Sequence, residues 1–235
     1  TEQRGENMLS MAQGRAMVMT ADLGVNNDGS IVGLKARVVA DAGAYPAIGA
    51  ILPMLTMQLS QAVYDIPAID FFAQSVLTNT TVIGAYRGAG RPEATQMVER
   101  ILDKAANAIG MDPAELRRKN YIQPDAFPLT TLVGANYDSG EYERSLDAVL
   151  EASGYADLRA EQARRREAND PMMLGIGVSS YVEVTAPIGL HVEYGSCEIN
   201  DDGSATIKVG TSSHGQGHDT AFSMIVNDVL GIPMD

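Results

Sequence analysis

Cysteine is almost absent from this sequence: Cys197 is the single one in 235 residues. A disulfide framework within the chain is therefore impossible, as is an iron–sulfur cluster held by four of its own thiolates. Cys197 lies in the strand-like run Tyr194-Gly195-Ser196-Cys197-Glu198-Ile199 and reads as a small core residue. Cations are also scarce, 17 Lys and Arg against 30 Asp and Glu, for a net charge of −13. That balance argues against a nucleic-acid partner, whose phosphates require a basic surface. No apolar run approaches the roughly 20 residues that span a bilayer, and no secretory leader is visible, so a cytoplasmic protein is expected. The chain starts at Thr1 without an initiator Met and stops at Asp235 just past a helix-like segment. It reads as an internal piece of something longer.

What is present is the composition of a globular protein, with 45% apolar and 20% charged residues and no low-complexity tract. Residues 14–43 read as a hairpin or meander, because Asn26-Asn27-Asp28-Gly29 separates two apolar runs and its Asn and Gly tolerate positive φ. Residues 45–72 are apolar and rich in Pro and Gly, without a clear period, and residues 71–78 read as a strand. Then Ala94, Met97, Val98, Ile101, Leu102, Ala105 and Ile109 recur at helical spacing, after Pro92 and before Gly110. Asp112-Pro113-Ala114-Glu115 opens a second, short helix that ends in Arg117-Arg118-Lys119. A loop is expected over 120–141 and a helix over 142–153, stopped by Gly154. The charged stretch 156–170 is the best inter-domain linker. Strands are expected over 175–185, 189–200 and 205–210, with a tight turn at Asp201-Asp202-Gly203 and a last helix over 220–230.

Two loops carry the features of a ligand site. Residues 83–92, Ile-Gly-Ala-Tyr-Arg-Gly-Ala-Gly-Arg-Pro, run from a strand into the long helix. Residues 210–220, Gly-Thr-Ser-Ser-His-Gly-Gln-Gly-His-Asp-Thr, do the same before the last helix. Glycine lets a backbone approach a ligand closely, and the unpaired N–H groups of a helix start face negative charge. Arg87 and Arg91 suit phosphate or an oxyanion, and Gln216 both donates and accepts. Two such loops would fit a long ligand with a pyrophosphate and a second polar end. The plainer alternative is that both are merely tight connections, with Arg87 and Arg91 as surface or ion-pair residues. Neither loop has P-loop or Rossmann spacing. His191, His214 and His218 show no metal-ligand spacing, and no nucleophilic triad can be assembled. Spacing alone gives a polar-ligand site.

The same loops resemble the large subunit of molybdenum hydroxylases, the xanthine dehydrogenase/aldehyde oxidase/CO dehydrogenase family. Ala85-Tyr86-Arg87-Gly88-Ala89-Gly90-Arg91-Pro92-Glu93 is similar to the family's active-site loop. Glu99, Asp112-Pro113 and Leu116-Arg117-Arg118-Lys119-Asn120 resemble the helix pair that follows it, and Gly215-Gln216-Gly217-His218-Asp219-Thr220, leading to Leu230-Gly231-Ile232-Pro233, a second cofactor loop. Asp41-Ala42-Gly43-Ala44-Tyr45 and Leu77-Thr78-Asn79-Thr80 match in order, so the resemblance runs along nearly the whole chain.

The resemblance implies an α+β (mixed α/β) fold of two lobes with mixed sheets and packed helices, residues 1–170 and the start of a second lobe at 171–235. It implies a molybdopterin centre, usually the cytosine dinucleotide in bacteria, whose metal is held by the pterin sulfurs rather than by protein. Arg87 and Gly88 would lie beside the molybdenum centre, and Gln216, Gly217 and His218 would contact the pterin or its phosphates. The implied reaction is hydroxylation of carbon, with electrons leaving through Fe–S and FAD partner subunits of a higher oligomer. Where CO dehydrogenases place a copper-bridging cysteine this chain has Gly88, and where xanthine dehydrogenases place a phenylalanine it has Ala89. Leu55 aligns with the latter's substrate-binding arginine. These departures point away from CO and purines, toward an aldehyde or N-heterocycle in a pocket lined by Ala89. The family's general-base glutamate would lie beyond Asp235, and Glu183 is read as structural, so no catalytic residue is assigned within this chain and turnover by it alone is not expected. The rival readings are a non-catalytic anion- or nucleotide-binding module built on the same loops, and a structural subunit that has lost activity.

Overall fold

The computed structural model describes residues 2–183, 192–213 and 215–234. The chain divides into two compact units, Thr1–Glu183 and Val184–Asp235. No helix among the described residues is long and apolar enough to cross a membrane.

The first unit opens with a short helix, α1 (Arg4–Ser10), and a three-stranded sheet of β1 (Met17–Val25), β2 (Ile31–Gly43) and β3 (Ile69–Leu77) in the order β1-β2-β3. β1 and β2 are antiparallel, and β3 lies parallel to β2. The hairpin forms where the sequence places it: Gly29 has φ 89° and donates to the Asn26 carbonyl, while Asp28 accepts from the Ser30 amide. The parallel pairing of β3 requires a crossover, supplied by the apolar stretch the sequence left without a period. It contains a 3₁₀ turn (Ile48–Ile51) and a helix, α2 (Leu52–Gln58).

Against one face of the sheet lies the long helix α3 (Arg91–Ile109). Its Met97, Val98, Leu102, Ala105 and Ala106 are buried against Leu34 and Ala36 of β2 and the half-buried Met19, Ala21 and Leu23 of β1. This is the amphipathic spacing read from sequence, ended as expected by Gly110 in the left-handed region. The next helix, α4 (Pro113–Lys119), is capped by Asp112, which accepts from the Ala114 amide. Beyond it, two short strands, β4 (Leu129–Thr130) and β5 (Asn136–Tyr137), interrupt the expected loop, before α5 (Tyr142–Ser153).

Two expectations change here. The charged stretch 156–170 is not open chain through most of its length but a helix, α6 (Tyr155–Glu167). Ion pairs three and four residues apart, Glu161 with Arg164 and Arg165, and the buried Gln162 bonded to the Leu174 carbonyl supply what its polar sequence hides. Residues 175–183 show the period-two alternation of a strand, yet form no ladder. They dock by side chains instead: Val178 and Val182 pack on the core, and the Ser180 amide donates to Glu99. The rest of that expected strand, and 189–191 of the next, lie outside the described residues.

The core of this unit contains a polar network. Arg117 is fully buried, and its Nε donates to Glu99 Oε2 at 2.8 Å while an Nη reaches Asp103 at 2.9 Å. Glu99 also accepts from the Tyr64 hydroxyl at 2.6 Å and the Ser180 amide at 3.0 Å. Burial holds the Glu99 carboxyl above its ordinary value, and Arg117 and Tyr64 offset only part of that rise. Ser180 Oγ continues the chain to Tyr121, which stacks on Tyr64. Asn120 performs a parallel task, holding the hairpin through Ile31 N and the Gly29 carbonyl.

The second unit has an antiparallel pair, β6 (Gly195–Ile199) and β7 (Ala205–Val209), and a helix, α7 (His218–Leu230). The turn at 201–203 is as expected, with Gly203 at φ 85°. Cys197, expected in a core, is exposed. The reason is size: the described part of this unit is one hairpin and one helix, too little to enclose an interior, and β6 is exposed along its length.

Two measurements test this account. Arg117→Met leaves Glu99 buried and uncompensated and should cost about 3–5 kcal/mol in denaturant unfolding, with Glu99→Leu in the same molecule restoring part of it. At the sheet's end, Asp41 accepts from Thr78 Oγ1, the Gly43 amide and Thr80 Oγ1, and these bonds, Thr78 first, hold its carboxyl below the ordinary value. A depressed carboxyl contributes its stability above its ordinary value and loses it as pH falls toward the lowered one. Asp41→Asn should therefore lower Tm at pH 7, and the gap to wild type should narrow below pH of about 4.

Candidate functional site

In the first unit, residues 83–92 are held by close backbone packing. Gly90, the residue before α3, has φ 93° and is buried; a Cβ there would stand 2.8 Å from both the Leu52 carbonyl oxygen and the Thr56 amide of α2. Only glycine suits both the dihedral and the fit. Gly88, Ala89 and Gly90 all have positive φ, so the chain doubles back just before the helix begins. Ala89, at φ 41°, is the unusual member, since a residue with a Cβ is strained in that region.

The two loop arginines have different surroundings. Arg91 forms an ion pair with Glu183 at 2.9 Å and donates to the Gly88 carbonyl at 3.2 Å, closing the loop on itself. Arg87 is exposed, and its guanidinium has no hydrogen-bond or ion-pair partner among the described residues. Its backbone is fixed nonetheless, because its carbonyl accepts from Arg15, which in turn pairs with the buried Glu93 at 3.0 Å and lies over the Tyr86 ring. Arg87, Gly88, Arg91, Thr95, Tyr181 and Glu183 are among the residues lining a cavity of about 470 Å3. A held backbone carrying an unpaired cation at a cavity mouth is suited to an anion or a polarised oxygen. Ala89 lies half-buried in the same turn.

In the second unit, residues 210–220 contrast with this. Gly215 and Gly217 also have positive φ, 106° and 74°, but nothing lies within 4 Å of where a Cβ would be. Gly217 caps α7 without a side-chain cap, and its carbonyl accepts from Ala221. The first-turn amides of α7 therefore face an open approach. His218 stacks against Phe222 at 5.2 Å, and its buried Nδ1 has no partner among the described residues. Gln216 is exposed; His191 and His214 lie outside the described residues. Among the described residues no group of three His, Cys, Asp or Glu could hold a metal.

Arg87, Gly88 and Ala89 thus share one turn in the first unit, and Gln216, Gly217 and His218 share one in the second. Sequence reading missed Arg15 and its pairing with Glu93: a lone arginine 78 residues upstream of its partner leaves no local signal. It also missed the link from Arg91 to Glu183. The different crowding of the two glycine loops yields a comparison. Gly217→Ala should cost about 1–2 kcal/mol, the price of a left-handed residue alone. Gly90→Ala adds overlap with α2 and should cost roughly 1–3 kcal/mol more in the same unfolding measurement.

Comparison with known proteins bears on both loops. Family models described as molybdopterin cofactor-binding domains match residues 1–121 and 148–235, one loop in each. The carbon monoxide dehydrogenase large chain of Hydrogenophaga pseudoflava is 39% identical over the whole chain, and the nicotine 6-hydroxylase large subunit of Paenarthrobacter nicotinovorans is 32% identical, also over the whole chain. Among solved structures, quinoline 2-oxidoreductase from Pseudomonas putida 86 superposes with a TM-score of 0.89 at 30% identity over 99% of the chain. The chain spans 31%, 30% and 31% of the lengths of these three proteins. Matches over this much of the sequence, with the fold, show that the chain belongs to the molybdopterin cofactor-binding domains of the molybdenum hydroxylase family that includes carbon monoxide dehydrogenase and xanthine dehydrogenase.

Proposed function

We propose that this chain is the cofactor-holding part of a molybdenum hydroxylase large subunit that oxidises an aldehyde or N-heterocycle. The observation that carries the reading is that each family match contains one glycine loop with unsatisfied polar groups: Arg87 in the first, the open α7 start and His218 Nδ1 in the second. Those features fit a ligand with a polar pterin and a phosphate-bearing tail. Arg87 and the backbone of Gly88 would hold the metal end, and Gln216, Gly217 and His218 the pterin or its phosphates, in the cytosine dinucleotide form.

When bound, the cofactor supplies the oxygen transfer and accepts the electrons. This chain's own residues bind and orient. Arg91 and Glu183 brace the loop, Gly90 fixes it against α2, and Arg87 presents a positive charge where negative charge develops. Ala89, in that turn, would border the substrate and leave room for a planar ring. Gly88 carries no thiol, which argues against copper-dependent CO oxidation despite the similarity to a CO dehydrogenase. Two of the similar proteins are named for acting on nicotine and quinoline, both N-heterocycles, which favours that substrate class. Electrons would leave through Fe–S and FAD partner subunits.

The test uses the full-length large subunit in its complex. Arg87→Ala and Gln216→Ala should each lower molybdenum content or hydroxylation of a panel of aldehydes and N-heterocycles by about tenfold or more. Full activity with normal molybdenum in both variants would overturn the reading.

A further inference from the structure

Residues 12–15 run beside the limb of chain that leads into the turn at Gly88-Ala89-Gly90, so closely that glycine is needed on both sides. Gln13 donates to the Val82 carbonyl and accepts from the Gly84 amide, a parallel bridge opposite Ile83. A Cβ on Gly14 would stand 2.7 Å from Tyr86 Cβ, and one on Gly84 2.8 Å from Ala12 Cβ. Arg15 follows in the left-handed region, at φ 67°. For a residue with a Cβ that conformation costs about 1–3 kcal/mol and persists only where the surroundings impose it.

From there the Arg15 guanidinium reaches both limbs of the turn at once. One Nη donates to the Arg87 carbonyl, ahead of Gly88-Ala89-Gly90; the other pairs with Glu93 Oε1 at 3.0 Å, beyond them in the first turn of α3. The same side chain lies 5.1 Å from the centre of the Tyr86 ring. The three residues it brackets all have positive φ, and two main-chain hydrogen bonds close the turn from within, Ala89 N to the Tyr86 carbonyl and Arg91 N to the Gly88 carbonyl. As a stabiliser the ion pair is a poor choice. Glu93 is buried, and its Oε2 has no partner among the described residues, so an acceptor stays unsatisfied. Apolar side chains of similar volume would fill the same space without that penalty. What they could not supply is direction: a rigid fork sets the Arg87 carbonyl relative to the start of α3.

We propose that Arg15 is a positioning residue for the reaction. Anchored on Glu93, it fixes the main chain at Arg87 and Gly88, and with it the point from which the Arg87 guanidinium faces the cavity. The inference rests on the reading that Arg87 and Gly88 hold the metal end of the cofactor.

The test uses the full-length large subunit in its complex. Arg15→Met removes both bonds, Arg15→Lys keeps the charge but cannot span both acceptors, and Arg15→Met with Glu93→Leu replaces the ion pair by apolar contact. Each should lower kcat on the aldehyde and N-heterocycle panel by about tenfold with KM little changed, and alter the electron paramagnetic resonance spectrum of the molybdenum. Each should also speed hydrogen exchange at the Ala89 and Arg91 amides by about tenfold and leave the Leu102 amide unchanged, a readout that needs no cofactor. The double variant should regain the Tm lost by Arg15→Met and none of the other properties, since apolar packing restores a structural role but not a positional one. Wild-type kcat, spectrum and exchange in the double variant, or in Arg15→Lys, overturn the proposal. Arg87→Ala separates it from the reading beneath it: a loss there with none in the Arg15 variants sinks the positioning role alone, and no loss there removes both. Arg15→Lys, the mildest change, decides the matter where the other two do not fold.

Discussion

Burying a guanidinium is costly unless every donor finds an acceptor, and Arg117 sits fully buried at the centre of the first unit. Its partner Glu99 lies on α3, Arg117 itself on α4, Tyr64 in the crossover and Ser180 in the segment after α6. Four pieces of chain, spread from residue 64 to residue 180, are thereby joined by groups that tolerate little displacement. A hydrophobic core would accept many near-equivalent arrangements of these pieces; a saturated ionic network accepts few. The segment held at Ser180 continues to Glu183, which pairs with Arg91 in the glycine loop of residues 83–92. The polar core and the loop are therefore connected by one short stretch of backbone, and the placement of Arg87 is inherited from the interior.

The parts of the fold that were legible in the sequence are those whose cause is local. The Asn-Asn-Asp-Gly turn, the spacing on α3, the Asp112 cap and the terminating Gly110 each carry their physics in a few adjacent residues. The elements that were not legible depend on distant partners. α6 has a polar sequence with no apolar stripe to announce it, and residues 175–183 have a strand's alternation without a neighbouring strand to bond. Periodicity reports which side chains face inward, not whether the backbone finds a ladder. Cys197 shows the same limit, since a small apolar side chain suits a core only if the surrounding chain is large enough to build one.

At the candidate site, residue types were legible and circumstances were not. The sequence marks both glycine loops, but nothing in it distinguishes a glycine crowded by α2 from one facing open space, as Gly90 and Gly217 do. Nor does it distinguish Arg91, which closes the loop on Glu183, from Arg87, which is left to act outward. Both are Gly-adjacent arginines in one short stretch. The family resemblance implied a role for Arg87 and none for Arg91; the structure shows Arg91 turned back on Glu183 and the Gly88 carbonyl.

The contact of Gly90 with α2 has a consequence for how such a loop can diversify. Lengthening or reshaping the turn would drive backbone into a helix, so variation among relatives has few routes that preserve the fold. Exchange of the side chain at 89, which already bears a Cβ at φ 41°, is the least disruptive one, because a Cβ at Gly88 would stand 2.6 Å from Pro92 Cγ. New chemistry on this frame arrives as a change of side chain on an unmoved main chain.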